Sequence, residues 1–209
     1  MSLVNFTTRE ITCKIVYYGP GRSGKTTNLQ YVHTAVPDER KGEMVSLATE
    51  TDRTLFFDYF PLDLGTIAGF KTKMQLYTVP GQVYYNATRK LVLRGADGVV
   101  FVADAQRQQM EENIESLRNL QENLLEQNLD IRQMPLVLQY NKVDLPDVLP
   151  VEELDDVLNF RALPAFSAAA VEGTGVFDTL KGISQLVLQS LSRRFGQDIQ
   201  QPDASADQR

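Results

Sequence analysis

The chain has one cysteine, Cys13, and one histidine, His33, in 209 residues. A single cysteine forms no intramolecular disulfide and no cysteine-based metal cluster, so a cross-linked scaffold is excluded and a reducing compartment suits the chain. His33 stands apart from every motif described below, which marks it as a surface or packing residue rather than a base. No apolar run approaches the roughly 20 residues that span a bilayer, and MSLVNFTTRE lacks the basic-then-apolar order of a secretory signal. Position 2 is Ser2 rather than the glycine of a myristoylation site, and the end ASADQR has no prenylation cysteine. The expectation is a cytoplasmic protein with no membrane anchor of its own, recruited to surfaces through protein partners. Basic residues are outnumbered, with 21 Lys plus Arg against 27 Asp plus Glu and a net charge of −6. That sign repels nucleic acid and anionic lipid, and no cationic run overrides it.

What is present is an ordinary globular balance, 43% hydrophobic and 23% charged, in a chain long enough for one well-filled core. Residues 1–195 are expected to form a single domain, followed by a polar, disordered tail at 196–209. Ile11 to Tyr18 is a short β-branched and aromatic run ending at a glycine-rich turn, which reads as a buried strand. Helix-compatible residues follow from Thr27 to Val36, then a polar, irregular stretch from Pro37 to Thr54. Leu55 to Leu62 and Phe70 to Val79 read as a hairpin around a turn at 63–69, the second strand alternating apolar and polar positions. Further strands are expected at Gly98 to Ala103, Leu136 to Tyr140 and Ala162 to Phe166. Between and after them, helices are marked by Met110, Ile114, Leu117, Leu120 and Leu124, by Pro150 at a helix start, and by Phe177, Leu180, Ile183, Val187, Leu191 and Phe195. The order implies an α/β fold in three layers: a mostly parallel six-stranded sheet with one antiparallel edge strand and helices on both faces. Ligands of such sheets bind beyond the carboxyl ends of the strands.

The motifs fall in those loops. Gly19 to Thr26 reads GPGRSGKT, a full match to GxxxxGK[ST] between a strand and a helix. Its glycines let backbone N–H groups converge on phosphate, Lys25 reaches the outer phosphates, and Thr26 offers a hydroxyl to magnesium. Gly19, Gly21, Arg22, Ser23, Gly24, Lys25, Thr26 and Thr27 make up the expected nucleotide-binding run, although no separate role falls to the Arg22 side chain. After the fifth strand comes Asn141-Lys142-Val143-Asp144. A carboxylate at Asp144 accepts two hydrogen bonds from guanine and finds no such donor pair on adenine, while Asn141 and Lys142 brace the loops and cover the ring. Thr78-Val79-Pro80-Gly81-Gln82 closes the hairpin's second strand, with Gly81 able to approach a γ-phosphate and Gln82 able to orient water. In the long loop, Thr54, with Thr51 as alternate, is the candidate metal-binding and phosphate-sensing threonine, and Arg53 could swing onto the phosphates or simply pair with Asp52 or Glu50 in solvent. Ser167-Ala168-Ala169, an ordinary tight turn by its residues alone, resembles the short Ser-Ala element that packs against guanine in GTP-binding proteins.

Taken in order over residues 11–195, these motifs resemble those of Ras-like small GTPases, except that Thr78 stands where the family carries Asp. GPGRSGKTTNLQY, TETDRTLFFDYFP, LYTVPGQVYY, QYNKVDLP and GVFDTLK are similar to the MglA family, bacterial GTPases of gliding motility and cell polarity. That resemblance implies a P-loop G domain that binds GTP or GDP with Mg2+ and hydrolyses GTP slowly, with Gln82 and Arg53 catalytic. It implies a roadblock-domain activating protein (MglB-like), which brings Arg53 and Gln82 into place, motility or cytoskeletal effectors, and recruitment to a cell pole. It makes Gly21 a position where side chains impair hydrolysis. The alternatives are a GTP-binding polarity scaffold with little hydrolysis and an ATP-dependent P-loop kinase, the latter opposed by Asp144.

Overall fold

A computed structural model describes residues 3–48, 54–82 and 85–198, with side chains over 4–46, 57–82 and 85–193. In chain order the elements are β1 (Leu3–Asn5), β2 (Glu10–Tyr18), α1 (Lys25–Ala35), β3 (Val45–Ala48), β4 (Thr54–Ile67), β5 (Phe70–Thr78), α2 (Asn86–Leu93), β6 (Gly98–Asp104), α3 (Met110–Leu125), β7 (Leu136–Asn141), α4 (Val151–Leu158), β8 (Ala165–Ala168) and α5 (Val176–Asp198). They build a sheet ordered β3-β4-β5-β2-β6-β7-β8, with β1 on β2. The pairs β5–β2, β2–β6, β6–β7 and β7–β8 are parallel.

The layers follow from alternation along the central strands. Val16, Tyr18, Val99, Phe101, Leu136, Leu138 and Tyr140 point to the face covered by α2, α3 and α4. Cys13, Ile15, Tyr17, Val100, Val102 and Val137 point to the face covered by α1 and α5. With both faces buried, these strands read as continuous apolar runs. Cys13 is fully buried, and burial pushes its thiol up to about 12, so it is an inert packing residue. His33 packs edge-on against Phe60 with ring centroids 5.2 Å apart, and its Nε2 lies 3.2 Å from the Gly42 carbonyl, so the packing role holds.

The expected six-stranded sheet is corrected to eight strands among the described residues, and antiparallel pairing is not confined to one strand. Val45–Ala48, inside the stretch read as irregular, pairs antiparallel with β4 and becomes the edge. Leu3–Asn5 pairs antiparallel with β2 through Leu3↔Thr12 and Asn5↔Glu10, filling the side of β2 that precedes its pairing with β6 at Ile15↔Gly98. The hairpin turn is also shorter than expected. β4 runs on to Ile67, and the reversal is Ala68-Gly69, at φ 50° and 84°. A register shift between Asp63 and Thr66, with Gly65 at φ 77°, breaks the alternation that would mark the strand in sequence. α5 extends to Asp198, beyond the domain end expected at 195, and residues 199–209 lie outside the described residues. No helix among the described residues is long and apolar enough to cross a membrane.

Candidate nucleotide-binding site

The loops at the carboxyl ends of β2, β5, β6, β7 and β8 come together at one end of the sheet. The first wraps between β2 and α1. Gly19 has φ 147°, and a side chain there would collide with the Val102 carbonyl oxygen; Gly24, at φ 98°, leaves no room for a Cβ beside Asn141 Nδ2. Arg22 is exposed at φ 61°, and Thr27 is half-buried in α1. Ser23 is fully buried with an Oγ that has no hydrogen-bond partner. Lys25 is buried and donates from Nζ to the carbonyls of Gly19, at 3.1 Å, and Pro20, at 2.6 Å. Burial, followed by the charge of nearby Arg89, pushes the Lys25 ammonium down to about 7. A desolvated ammonium hydrogen-bonded to two carbonyls, beside a hydroxyl without a partner among the described residues, is a cradle suited to phosphate.

The loops in which sequence places the base-reading residues are joined to this cradle through one side chain. Asn141, at the end of β7, donates from Nδ2 to the Ser23 carbonyl at 2.7 Å and accepts from the Ala170 N–H at 2.9 Å. Val143 N–H donates to the Ala168 carbonyl at 3.2 Å, and Ala169 N–H to the Thr174 carbonyl at 3.1 Å. Asn141 is thus the strut that ties together the loops carrying Ser23, Asp144 and Ser167-Ala168-Ala169. Lys142, at φ 71°, is held by Asp104 at the end of β6, Nζ to Oδ2 2.6 Å. Asp104 is a positioning carboxylate that sequence motifs did not mark; its backbone N–H is fixed in turn by Asn113 Oδ1 at 2.9 Å. Asp144 is exposed.

At the phosphate end, the structure supplies a carboxylate that sequence reasoning missed. Asp58 on β4 is fully buried, and the register Tyr59↔Tyr77 sets it opposite Thr78. Thr78 Oγ1 donates to Asp58 Oδ2 at 2.8 Å and accepts from the Asp58 N–H at 2.9 Å. Thr26 Oγ1 donates to the same Oδ2 at 2.6 Å, and Ser46 Oγ to Oδ1 at 2.5 Å. The acidic group absent at 78 therefore stands on the neighbouring strand, in contact with the P-loop threonine. Among the described residues no group of three or more His, Cys, Asp or Glu forms a metal cage. Magnesium does not require one, because it commonly takes one or two protein oxygens and completes its shell with phosphates and water. Thr26 and Asp58 fit that pattern.

The Gly-Gln segment lies directly over the P-loop. A Cβ on Gly81 would collide with the Cα of Gly21 and lie 2.6 Å from its nitrogen and 2.7 Å from the Pro20 oxygen, so only glycine fits. A Cβ on Gly21 would meet Gly81 at 3.8 Å, an ordinary contact, so a methyl is accommodated there and longer side chains press on Gly81. Gln82 is half-buried, and its carbonyl accepts from Tyr85 N–H at 3.2 Å at the start of α2. Thr54 is placed at the start of β4, but its side chain is not described, and Thr51 and Arg53 lie outside the described residues.

Comparison with known proteins agrees with this geometry. The model of the ADP-ribosylation factor family matches residues 2–187. The mutual gliding-motility protein MglA of Myxococcus xanthus (strain DK1622) is 59% identical over 193 residues, covering 92% of this chain and 99% of that protein. A family match over nearly the whole domain, with a phosphate cradle and base-reading loops tied into one site, leads to one conclusion: the chain belongs to the ADP-ribosylation factor family, the Ras-like small GTPases that bind guanine nucleotides and hydrolyse GTP.

Proposed function

We propose that this protein is a magnesium-dependent GTP/GDP switch serving bacterial gliding motility and cell polarity. The observation that carries the reading is the Asn141 strut, which binds the Ser23 carbonyl on one side and the Ala170 N–H on the other. It sets the phosphate-binding and base-reading loops as one rigid receptor for a nucleotide.

The residues divide the work. Asp144 selects guanine, Lys142 covers the ring while Asp104 holds it, and Ser167 and Ala168, strand residues at the end of β8 rather than the expected turn, close the other side with Ala169. Lys25 neutralises phosphate charge, with Gly19, Gly21, Arg22, Ser23, Gly24 and Thr27 as the surrounding loop. Thr26 and Asp58 would hold Mg2+, with Thr54 as the further ligand expected from the resemblance; the ion would offset the negative charge of the phosphates. For hydrolysis, Gly81 presents its N–H to the γ-phosphate, Gln82 orients water and Arg53 supplies positive charge, so catalysis is mainly positioning. Gly81 packed on Gly21 leaves the γ-phosphate to be admitted by movement of that segment, which is how the nucleotide state reaches the surface.

An MglB-like roadblock-domain activator that aligns Arg53 and Gln82, motility or cytoskeletal effectors, and pole recruitment through these partners complete the reading. The scaffold alternative takes Thr78 and Arg22 as marks of a decayed site; the intact Lys25, Thr26 and Gln82, with Asp58 hydrogen-bonded to Thr78, support the hydrolysing reading instead. Single-turnover GTP hydrolysis tests the assignments. Gln82→Leu and Arg53→Ala should keep nucleotide binding and each lose activator-stimulated turnover by about 100-fold or more. Unchanged stimulated turnover in both variants would sink the catalytic roles.

A further inference from the structure

Arg89 belongs to no sequence motif, yet it is among the largest fully buried side chains of the protein. It projects from α2. Its Nε donates to the Pro80 carbonyl at 2.9 Å, Nη2 to the Gly81 carbonyl at 2.5 Å, and Nη1 to Asn119 Oδ1 at 2.8 Å. The guanidinium carbon lies 5.4 Å from the centroid of the Tyr18 ring. Among the described residues Arg89 forms no ion pair. Burying a cation against neutral acceptors is expensive, so fold stability alone gives little reason for an arginine here.

We propose that Arg89 is a positioning residue for GTP hydrolysis, a clamp that orients the two peptide planes on either side of Gly81. A peptide is planar and trans, so the carbonyl and N–H of one unit point in opposite directions. Holding the Pro80 oxygen therefore aims the Gly81 N–H, the donor for the γ-phosphate. Holding the Gly81 oxygen aims the unit that leads into Gln82. One planar fork spans both carbonyls, which a flexible lysine ammonium cannot reproduce.

The clamp is itself anchored. Asn119 on α3, which receives Nη1, also accepts from the Tyr18 hydroxyl at 2.6 Å and from Asn123 Nδ2 at 3.1 Å. Asn123 Nδ2 also donates to Asn86 Oδ1 at 2.8 Å at the first residue of α2. Tyr18 is the last residue before Gly19, so the network fixes the switch segment relative to the end of the P-loop strand. Arg89 acts through Gly81 and Gln82, by way of the Pro80 and Gly81 carbonyls.

The inference rests on the GTPase reading, and its test separates the two. In full-length protein, Arg89→Gln should leave GDP affinity within about twofold while lowering single-turnover GTP hydrolysis about tenfold or more and reducing the preference for a non-hydrolysable GTP analogue over GDP. Arg89→Lys should recover part of the hydrolysis rate. A merely structural arginine would instead lower Tm, and GDP and GTP-analogue affinities would fall together, with bound GTP turned over at the wild-type rate; that result overturns the proposal. Where Arg89→Gln does not fold, Asn119→Ala leaves the arginine in place and removes its anchor. It should slow hydrolysis with GDP affinity kept, and wild-type hydrolysis in that variant counts against the clamp. A wild-type protein that binds GTP without ever hydrolysing it would overturn the GTPase reading itself, and this role with it.

Discussion

Asp58 lies between aromatic residues in the segment Leu55-Phe56-Phe57-Asp58-Tyr59-Phe60, where a carboxylate has no business in a buried strand unless something needs it. Three hydroxyls from three elements, Thr26, Ser46 and Thr78, satisfy it. Asp58→Asn keeps the shape and removes the charge. It should weaken the magnesium dependence of GDP affinity by roughly 10- to 100-fold, read from nucleotide release at graded Mg2+, with a smaller change in Thr78→Ala. Equal magnesium dependence in Asp58→Asn and wild type would return the metal site to residues outside this cluster. Asp58 was not legible from sequence because its role depends on cross-strand register. A hairpin turned at 63–69 sets other residues opposite Thr78, and the reversal at Ala68-Gly69 alone would set Tyr59 there; the register shift between Asp63 and Thr66 moves the pairing by one residue and brings Asp58 opposite.

Lys25 makes a separate prediction at the same scale. Its ammonium is pushed down to about 7 in the folded protein, against 10.5 for the free group. Between those values the unfolded chain binds the proton and the fold does not, so the nucleotide-free protein gains stability as pH rises through that window, and below about 7 it bears the full penalty. Phosphate restores the proton. Nucleotide binding near pH 8 should therefore take up as much as about one proton per site, falling away below pH 7. Calorimetry in buffers of different ionisation enthalpy measures it, and binding heats independent of buffer at pH 8 would contradict it.

Among the elements, β7 is tied to both helices of one face by a buried polar cluster. Gln139 Nε2 donates to Asn28 Oδ1 at 2.9 Å and Thr179 Oγ1 at 2.9 Å, and Asn28 Nδ2 returns a bond to Gln139 Oε1 at 2.8 Å. Gln139→Leu leaves the Asn28 carbonyl oxygen unpaired in the core. The expected loss is about 1–3 kcal/mol, a fall of roughly 2–12 °C in Tm by thermal unfolding. An unchanged Tm would show that the cluster contributes nothing net. The elements found from sequence are those with strong pattern: β2, β6, α3 and α5 lie close to their expected spans, because continuous apolar runs and steps of three and four report burial directly. β1 and β3 have three and four residues and owe their existence to neighbours, not to propensity. α2 escaped for the same reason: it is eight residues long, without a capping side chain, and its buried Arg89 contradicts any apolar stripe.

For the molecule as a whole, the motifs could be ordered into a site because a doubly wound sheet delivers every strand-end loop to one edge. Gly19 to Thr26 and Gly81-Gln82 follow a strand, while Asn141 to Asp144 and Ser167 to Ala169 begin in the last residues of one, and spacing along the chain therefore stands in for proximity. The side chains that orient them, Asp58, Arg89 and Asp104, are assigned no role by any motif and depend on contacts across the fold. That these loops hold a guanine nucleotide is tested most directly by denaturing freshly purified protein and identifying what is released by chromatography. GDP or GTP at about one per chain is the expected result, lost in Asp144→Ala. ATP or ADP in its place would contradict the role of Asp144 and, with it, the guanine switch.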